Sequence, residues 1–273
     1  MNKKNIENIR IALLIEYNGK NLVGWQKQNN GTSVQGELER CTKILFKQQC
    51  IVQGAGRTDA GVNALGQVAH VDIPAENRFL NKNNFYMVSA FNALLIHTAI
   101  RVISIQNVSK RFNARFSAIN RTYAYKFLIR SAPPIILNYN ILHIRKKIDV
   151  KKMIDASKHF LGKHDFTSFR STSCQSSNPI KTINEIKFKE KKRSNILIMQ
   201  ISAKSFLHNQ VRIIVGSLIK VGFNEWSPEK IREILKMKSR SHAGETAPAR
   251  GLYLKKISYP KDLIDPNWPL IIN

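Results

Sequence analysis

One carboxylate stands beside one arginine in Gly54-Ala55-Gly56-Arg57-Thr58-Asp59-Ala60-Gly61, where the glycines let the backbone turn sharply and approach other atoms closely. A carboxylate presented in this way can act as a nucleophile or as a general base. The same residues also permit a plainer reading, in which Asp59 caps a tight turn and pairs with Arg57. Two phosphate cradles are excluded. The dinucleotide pattern G-x-G-x-x-G needs glycine where Asp59 stands, and a P-loop aligned on Gly56 and Gly61 meets Val62 and Asn63 instead of Lys and Ser or Thr.

A second charged residue sits where apolar ones are expected. Between His208 and Val221, the residues Val211, Ile213, Ile214, Val215, Leu218 and Ile219 predict a helix that is apolar nearly all round, yet Arg212 lies among them. Burying a guanidinium without a partner is costly, so Arg212 either reaches an edge or faces a carboxylate. Asp59 is the candidate partner. Beside Arg212 it would stay ionised, whereas alone in an apolar cleft it would tend to protonate. A third element is Arg121-Thr122-Tyr123-Ala124-Tyr125, where strand alternation puts both tyrosines on one face. Such a face either fills a core or stacks a nucleobase, and Trp25, Phe166 and Phe169 carry the same two readings.

The elements that must position these residues read as two halves with similar grammar, 1–110 and 111–273. In the first, Arg10–Tyr17 predicts a strand. A helix follows, capped by Thr32 with Gln35 three residues on, with Val34, Leu38, Cys41 and Leu45 on its apolar face. Strands near Ile51 and over Gln67–Ile73 flank the Asp59 turn, a helix spans Phe85–Leu95, and Arg101–Val108 closes a β-α-β-β-α-β order. The second half repeats it with strands over Thr122–Ile129, Ile183–Lys189, Ile196–Ala203 and Leu252–Tyr259, and helices over Val150–Leu161, His208–Val221 and Pro228–Met237. The expected fold class is α+β, two ferredoxin-like halves sharing a mainly antiparallel sheet with the catalytic cleft between them. Pro133-Pro134 and Ser171–Pro179 read as insertions or mobile loops.

Composition narrows the partner. Forty-four Lys+Arg against 18 Asp+Glu give a formal charge of +26, which points first to nucleic acid, whose condensed counterions are released as phosphates are neutralised. Richness in Lys, Asn and Ile is also what an A+T-rich coding sequence produces, so part of that charge is compositional. The basic residues are spread along the chain, which favours a folded basic surface over a tail. Cys41, Cys50 and Cys174 form no C-x-x-C pair and leave an odd count, against a disulfide scaffold and against structural zinc. His159 and His164 have too few further ligands nearby, so no metal is expected. Lys3 and Lys4 precede only a short apolar run, and no run approaches the roughly 18 residues of a membrane span, so a cytoplasmic protein is expected.

Taken together, these residues resemble the A-type tRNA pseudouridine synthases along nearly the whole chain. The motifs are Gly24-Trp25-Gln26-Lys27-Gln28, Ser33-Val34-Gln35-Gly36, Gly56-Arg57-Thr58-Asp59-Ala60-Gly61-Val62, Phe112–Ala118 running on to Arg121-Thr122-Tyr123, His164–Phe169, Val211-Arg212 and Ala247–Leu254. The resemblance implies Asp59 as the catalytic residue, Tyr123 packed on the target base and Arg212 paired with the catalytic carboxylate. Arg57, beside Asp59, is a further candidate for binding the substrate. The resemblance further implies a homodimer, no cofactor, and uridines 38 to 40 of the tRNA anticodon stem-loop as targets. Four departures are visible. Asn63 and Asn113 stand where the family usually has His, Gln210 where it has Met, and Leu95 where it has Pro. None touches the Asp, Tyr or Arg positions, so gripping of the RNA backbone and stability are the properties they bear on.

Isomerising uridine breaks the bond from N1 to C1′, turns the uracil while it is held and joins C5 to C1′, with no redox step. One carboxylate suffices, attacking a carbon or removing a sugar proton. The uridine must leave its stack, so flipping is expected. An RNA chaperone of the same fold would not need Asp59 and Arg212 together. A metal-dependent nuclease would need further carboxylates at the turn.

Overall fold

The computed structural model describes residues 8–79, 83–136, 140–265 and 268, so Lys3 and Lys4 lie outside it. The chain divides into two compact units, Met1–Ile119 with Leu254–Asn273, and Asn120–Tyr253. The fold is α+β and its strands are mostly antiparallel.

In the first unit the order is β1 (Asn8–Tyr17), α1 (Val34–Phe46), β2 (Gln53–Gly54), β3 (Asn63–Pro74), α2 (Asn84–Leu94) and β4 (Ile100–Val108). The strands lie in the order β4-β1-β3 with β2 on the far side of β3, all antiparallel, which is the ferredoxin-like arrangement. Ile11-Ala12-Leu13-Leu14-Ile15 are all buried, so β1 is covered on both faces, as a continuous apolar run rather than an alternating one requires. Its register slips near Ile15 against both neighbours, a bulge that redirects the end of the strand at Tyr17. Opposite Asp72 on β3, Arg10 makes a forked pair at 2.8 and 2.7 Å, and its remaining nitrogen donates to the carbonyls of Lys110 and Phe112.

Helix α1 is capped by Ser33, not Thr32. The Ser33 hydroxyl accepts from the Gly36 amide at 3.2 Å, while the Thr32 carbonyl is engaged by Val23. Gln35 does not close a capping box either. Its side chain accepts from the Lys27 amide and donates to Glu39 and the Val52 carbonyl. At the other end of the unit, the Leu95 amide donates to Phe91, a bond that proline could not make. Arg101 then ties down the turn into β4 by donating to the carbonyls of Leu95, Ile96, Thr98 and Ile100.

The second unit contains β5 (Asn120–Ile129), β6 (Leu142–Ile144), α3 (Val150–Lys158), β7 (Gly162–Asp165), β8 (Ile180–Lys191), β9 (Ile196–Ala203), α4 (Gln210–Gly222) and α5 (Lys230–Met237), and β10 (Leu252–Ser258) begins in it. Strand β9 lies beside β5 and β8 beyond β9, the placement that β3 and β2 take beside β1. Strand β6, parallel to β5, and β7, antiparallel to β8, lie outside the strands expected from the sequence. Helix α3, expected to reach Leu161, is shorter. The helix stops at Lys158 because Gly162, at φ 88°, turns the chain into β7 while Phe160 packs with Phe166 and Phe169.

Candidate active site

Asp59 opens a four-residue turn closed by the Val62 amide on its carbonyl at 3.2 Å, with Gly61 at φ 79° in the third position, the place that favours glycine. The preceding residue is held on both sides. The Thr58 carbonyl accepts from the Trp25 amide at 3.0 Å, and the Thr58 hydroxyl shares a buried hydrogen bond of 2.8 Å with Tyr17 at the end of β1. Gly24 makes this approach possible. It sits at φ 107°, and a Cβ there would lie 2.5 Å from the Thr58 oxygen. Gln67 on β3 donates to the Gly56 carbonyl at 2.8 Å, so the glycine-rich segment is braced from below as well. Asp59 is half-buried, its carbonyl held by the Val62 amide and the preceding Thr58 carbonyl by the Trp25 amide.

Arg57 is exposed and, among the described residues, makes no ion pair with Asp59 or any other carboxylate, so the turn is not built on an Arg57–Asp59 pair. Asn63 is buried and its side-chain oxygen accepts from the Gly19 amide at 3.0 Å. It therefore ties the segment after the turn to the Gly19 loop. Asn113 likewise accepts from the amides of Arg115 and Phe116 and shapes its own loop.

In the second unit Arg212 lies in the first turn of α4, half-buried, with Nε donating to the Ala247 carbonyl and Nη1 to the Asn209 side chain, both at 2.8 Å. The Ala247 amide returns a bond to the Arg212 carbonyl. This exchange depends on close packing. A Cβ on Gly216 would meet the Glu245 oxygen at 1.8 Å, and the Gly244 amide donates to Ser217. Arg212 is thus an oriented guanidinium and not a chain reaching loosely for water. Gln210, its neighbour, is buried with its oxygen on the Leu207 amide.

Strand alternation holds for Tyr123 and Tyr125, but their surroundings differ. Tyr125 is fully buried against Phe127, donates to the Pro248 carbonyl and has its phenol pushed up by burial, so it belongs to the core. Tyr123 is 9% exposed, with its ring edge-on to Phe206 at 5.3 Å. Phe166, Phe169 and Trp25 are core residues too. A cavity of about 460 Å³ in the same unit, lined by Lys158, His164, Asp165, Arg232, Lys236 and Lys238, includes none of Asp59, Arg57, Tyr123 and Arg212, and two of its cations already meet Asp155 and Asp165.

The profile of the family described as tRNA pseudouridine synthase matches residues 156–260. Over 92% of its length the chain is 46% identical to the whole of a tRNA pseudouridine synthase A from Ehrlichia chaffeensis. The chain belongs to the tRNA pseudouridine synthase A family. Within it, the protein from Dinoroseobacter shibae is 40% identical over 94% of this chain and 99% of its own, and that from Anaplasma phagocytophilum 40% over 92% and 100%. The family consists of isomerases that convert uridine to pseudouridine. Among solved structures, an H/ACA RNP bound to a substrate RNA containing 2'-deoxyuridine is similar at a TM-score of 0.34 and 12% identity, covering 77% of this chain and 44% of that one.

Proposed function

We propose that this chain isomerises uridine to pseudouridine in the anticodon stem-loop of tRNA, at positions 38 to 40, with Asp59 as the catalytic carboxylate. The observation that carries the reading is the 46% identity to a tRNA pseudouridine synthase A over that protein's full length. Support at residue level comes from Asp59, half-buried in a turn closed by the Val62 amide on its own carbonyl, next to Thr58 held by Trp25 and Tyr17. In the same proposal Arg212 is the partner that keeps Asp59 ionised, Tyr123 packs on the detached uracil and exposed Arg57 meets a phosphate. The rotating base must be gripped away from water, a task suited to an aromatic ring. No cofactor or metal takes part, because isomerisation needs neither an oxidant nor a second substrate.

The protein is proposed to act in the cytoplasm as a homodimer. No helix among the described residues is long and apolar enough to cross a membrane. Phe85, Tyr86 and Ile96, at 68, 55 and 58% exposure, give the first unit apolar surface for a second copy. The deciding experiment incubates the purified protein with unmodified tRNA transcript and no added cofactor, then maps pseudouridine. Formation at 38 to 40 is expected with the wild type and none with Asp59→Asn. No pseudouridine from the wild type, or equal amounts from both proteins, would reject the proposal.

A further inference from the structure

Asn209 immediately precedes α4 in a left-handed conformation, φ 60° and ψ 4°, a region that asparagine and glycine tolerate far better than other residues. An asparagine at such a place ordinarily turns its side chain inward to accept an amide of the first helical turn. This one does not. Asn209 makes no side-chain cap, although its own carbonyl starts the helix by accepting from Ile213. Its side-chain oxygen is committed instead to Arg212 Nη1 at 2.8 Å.

That commitment has an electrostatic reason. Arg212 is a cation in the first turn of a helix, where the unsatisfied amides and the helix dipole make a cation unwelcome. The acceptors that hold it there include the Ala247 carbonyl on Nε and the Asn209 amide oxygen on Nη1. With two separate nitrogens of one planar group fixed, both the place and the plane of the guanidinium are set. The first acceptor belongs to the backbone. The second is a side chain that a single substitution can remove without disturbing φ.

We propose that Asn209 is a positioning residue for the isomerisation, fixing the guanidinium plane of Arg212 through its side-chain oxygen. The inference rests on the reading of Arg212 as the partner of the catalytic carboxylate. It makes Asn209 matter for the chemical step and not for holding tRNA.

The test compares Asn209→Gly, which keeps the left-handed backbone and loses the acceptor, with Asn209→Asp, which keeps both. Single-turnover pseudouridine formation and tRNA binding are measured in each, alone and combined with Arg212→Met, and folding is checked by circular dichroism. Expected are a rate about ten-fold lower for Asn209→Gly with tRNA affinity within about two-fold, recovery to within about three-fold in Asn209→Asp, and no further loss in the Arg212→Met background. A wild-type rate for Asn209→Gly beside a slow Arg212→Met would overturn this inference and leave the role of Arg212 standing. Equal loss in both backgrounds would make Asn209 a structural residue only. Should Arg212→Met keep the full rate, the role of Arg212 fails instead, and the ¹⁵N signals of the Arg212 side chain decide the rest. Loss of its restricted Nη rotation in Asn209→Gly is expected, and unchanged signals would refute the positioning.

Discussion

Removing the charge of Asp59 tests the chemistry with little cost to the fold, because the turn around it is held by backbone bonds at Thr58, Trp25 and Val62. Asp59→Asn is expected to abolish single-turnover product formation while changing stability by about 1 kcal/mol or less and leaving tRNA binding intact or slightly tighter. At Tyr123 the ring is the proposed working part, so Tyr123→Phe should retain most of the rate and Tyr123→Ala should not. Equal loss in both would point to the hydroxyl. His70 supplies a prediction of a different kind. It is buried, its Nδ1 accepts from the Ala114 amide at 3.1 Å, and burial first, with Arg10 second, lowers its pKa to about 4. The unfolded chain takes up a proton near the ordinary histidine value of about 6.5. Between those two values it binds more protons than the folded state, so stability is full above pH 6.5 and is lost as pH falls towards 4. Asp72, held low chiefly by its bond to Arg10, adds a further loss below about pH 4. Thermal unfolding followed from pH 7.5 to 4 should show the decline, and His70→Gln, which retains an acceptor, should flatten its upper part.

Packing of α4 against residues 244–247 sets where Arg212 can stand, which makes Gly216, one turn further along the same face of the helix, a sensitive position. Gly216→Ala would drive a Cβ into the Glu245 oxygen and is expected to cost about 1–3 kcal/mol and to slow turnover as Ala247 moves. A measured midpoint equal to that of the wild type would show that the segment yields without cost. The elements themselves were legible to different degrees. Strand β1 announces itself by a continuous apolar run, β3 by apolar residues set among polar ones, and the strand expected over Ile196–Ala203 has those bounds. Short polar β7, Gly162-Lys163-His164-Asp165, has no alternation to read, and three-residue β6 is shorter than any periodicity. Ser33 rather than Thr32 caps α1 because the choice is made by what Val23 and Lys27 need, which lies outside the local pattern. Asp59 was visible through its glycines. The hold on Arg212 was not, since a carbonyl 35 residues away carries no mark of its role.

At the scale of the whole chain, the +26 charge predicts that tRNA affinity falls at least about ten-fold between roughly 50 and 200 mM salt, as counterion release requires. A flat response would assign that charge to coding bias. The clamp around Thr58 also has a bearing on the time scale of the molecule. Glycine-rich segments commonly open and close freely, but here the amides of Trp25, Val34, Gln35 and Val62 are all engaged by carbonyls of Thr58, Gly24, Trp25 and Asp59. Of the four, only the Trp25 amide is bonded across the two segments, while Val34 and Gln35 are held inside 24–35 and Val62 inside its own turn. In deuterium the Trp25 amide should therefore exchange only when the two loops part, and more slowly than the Val62 amide, which the opening of its own turn is enough to release.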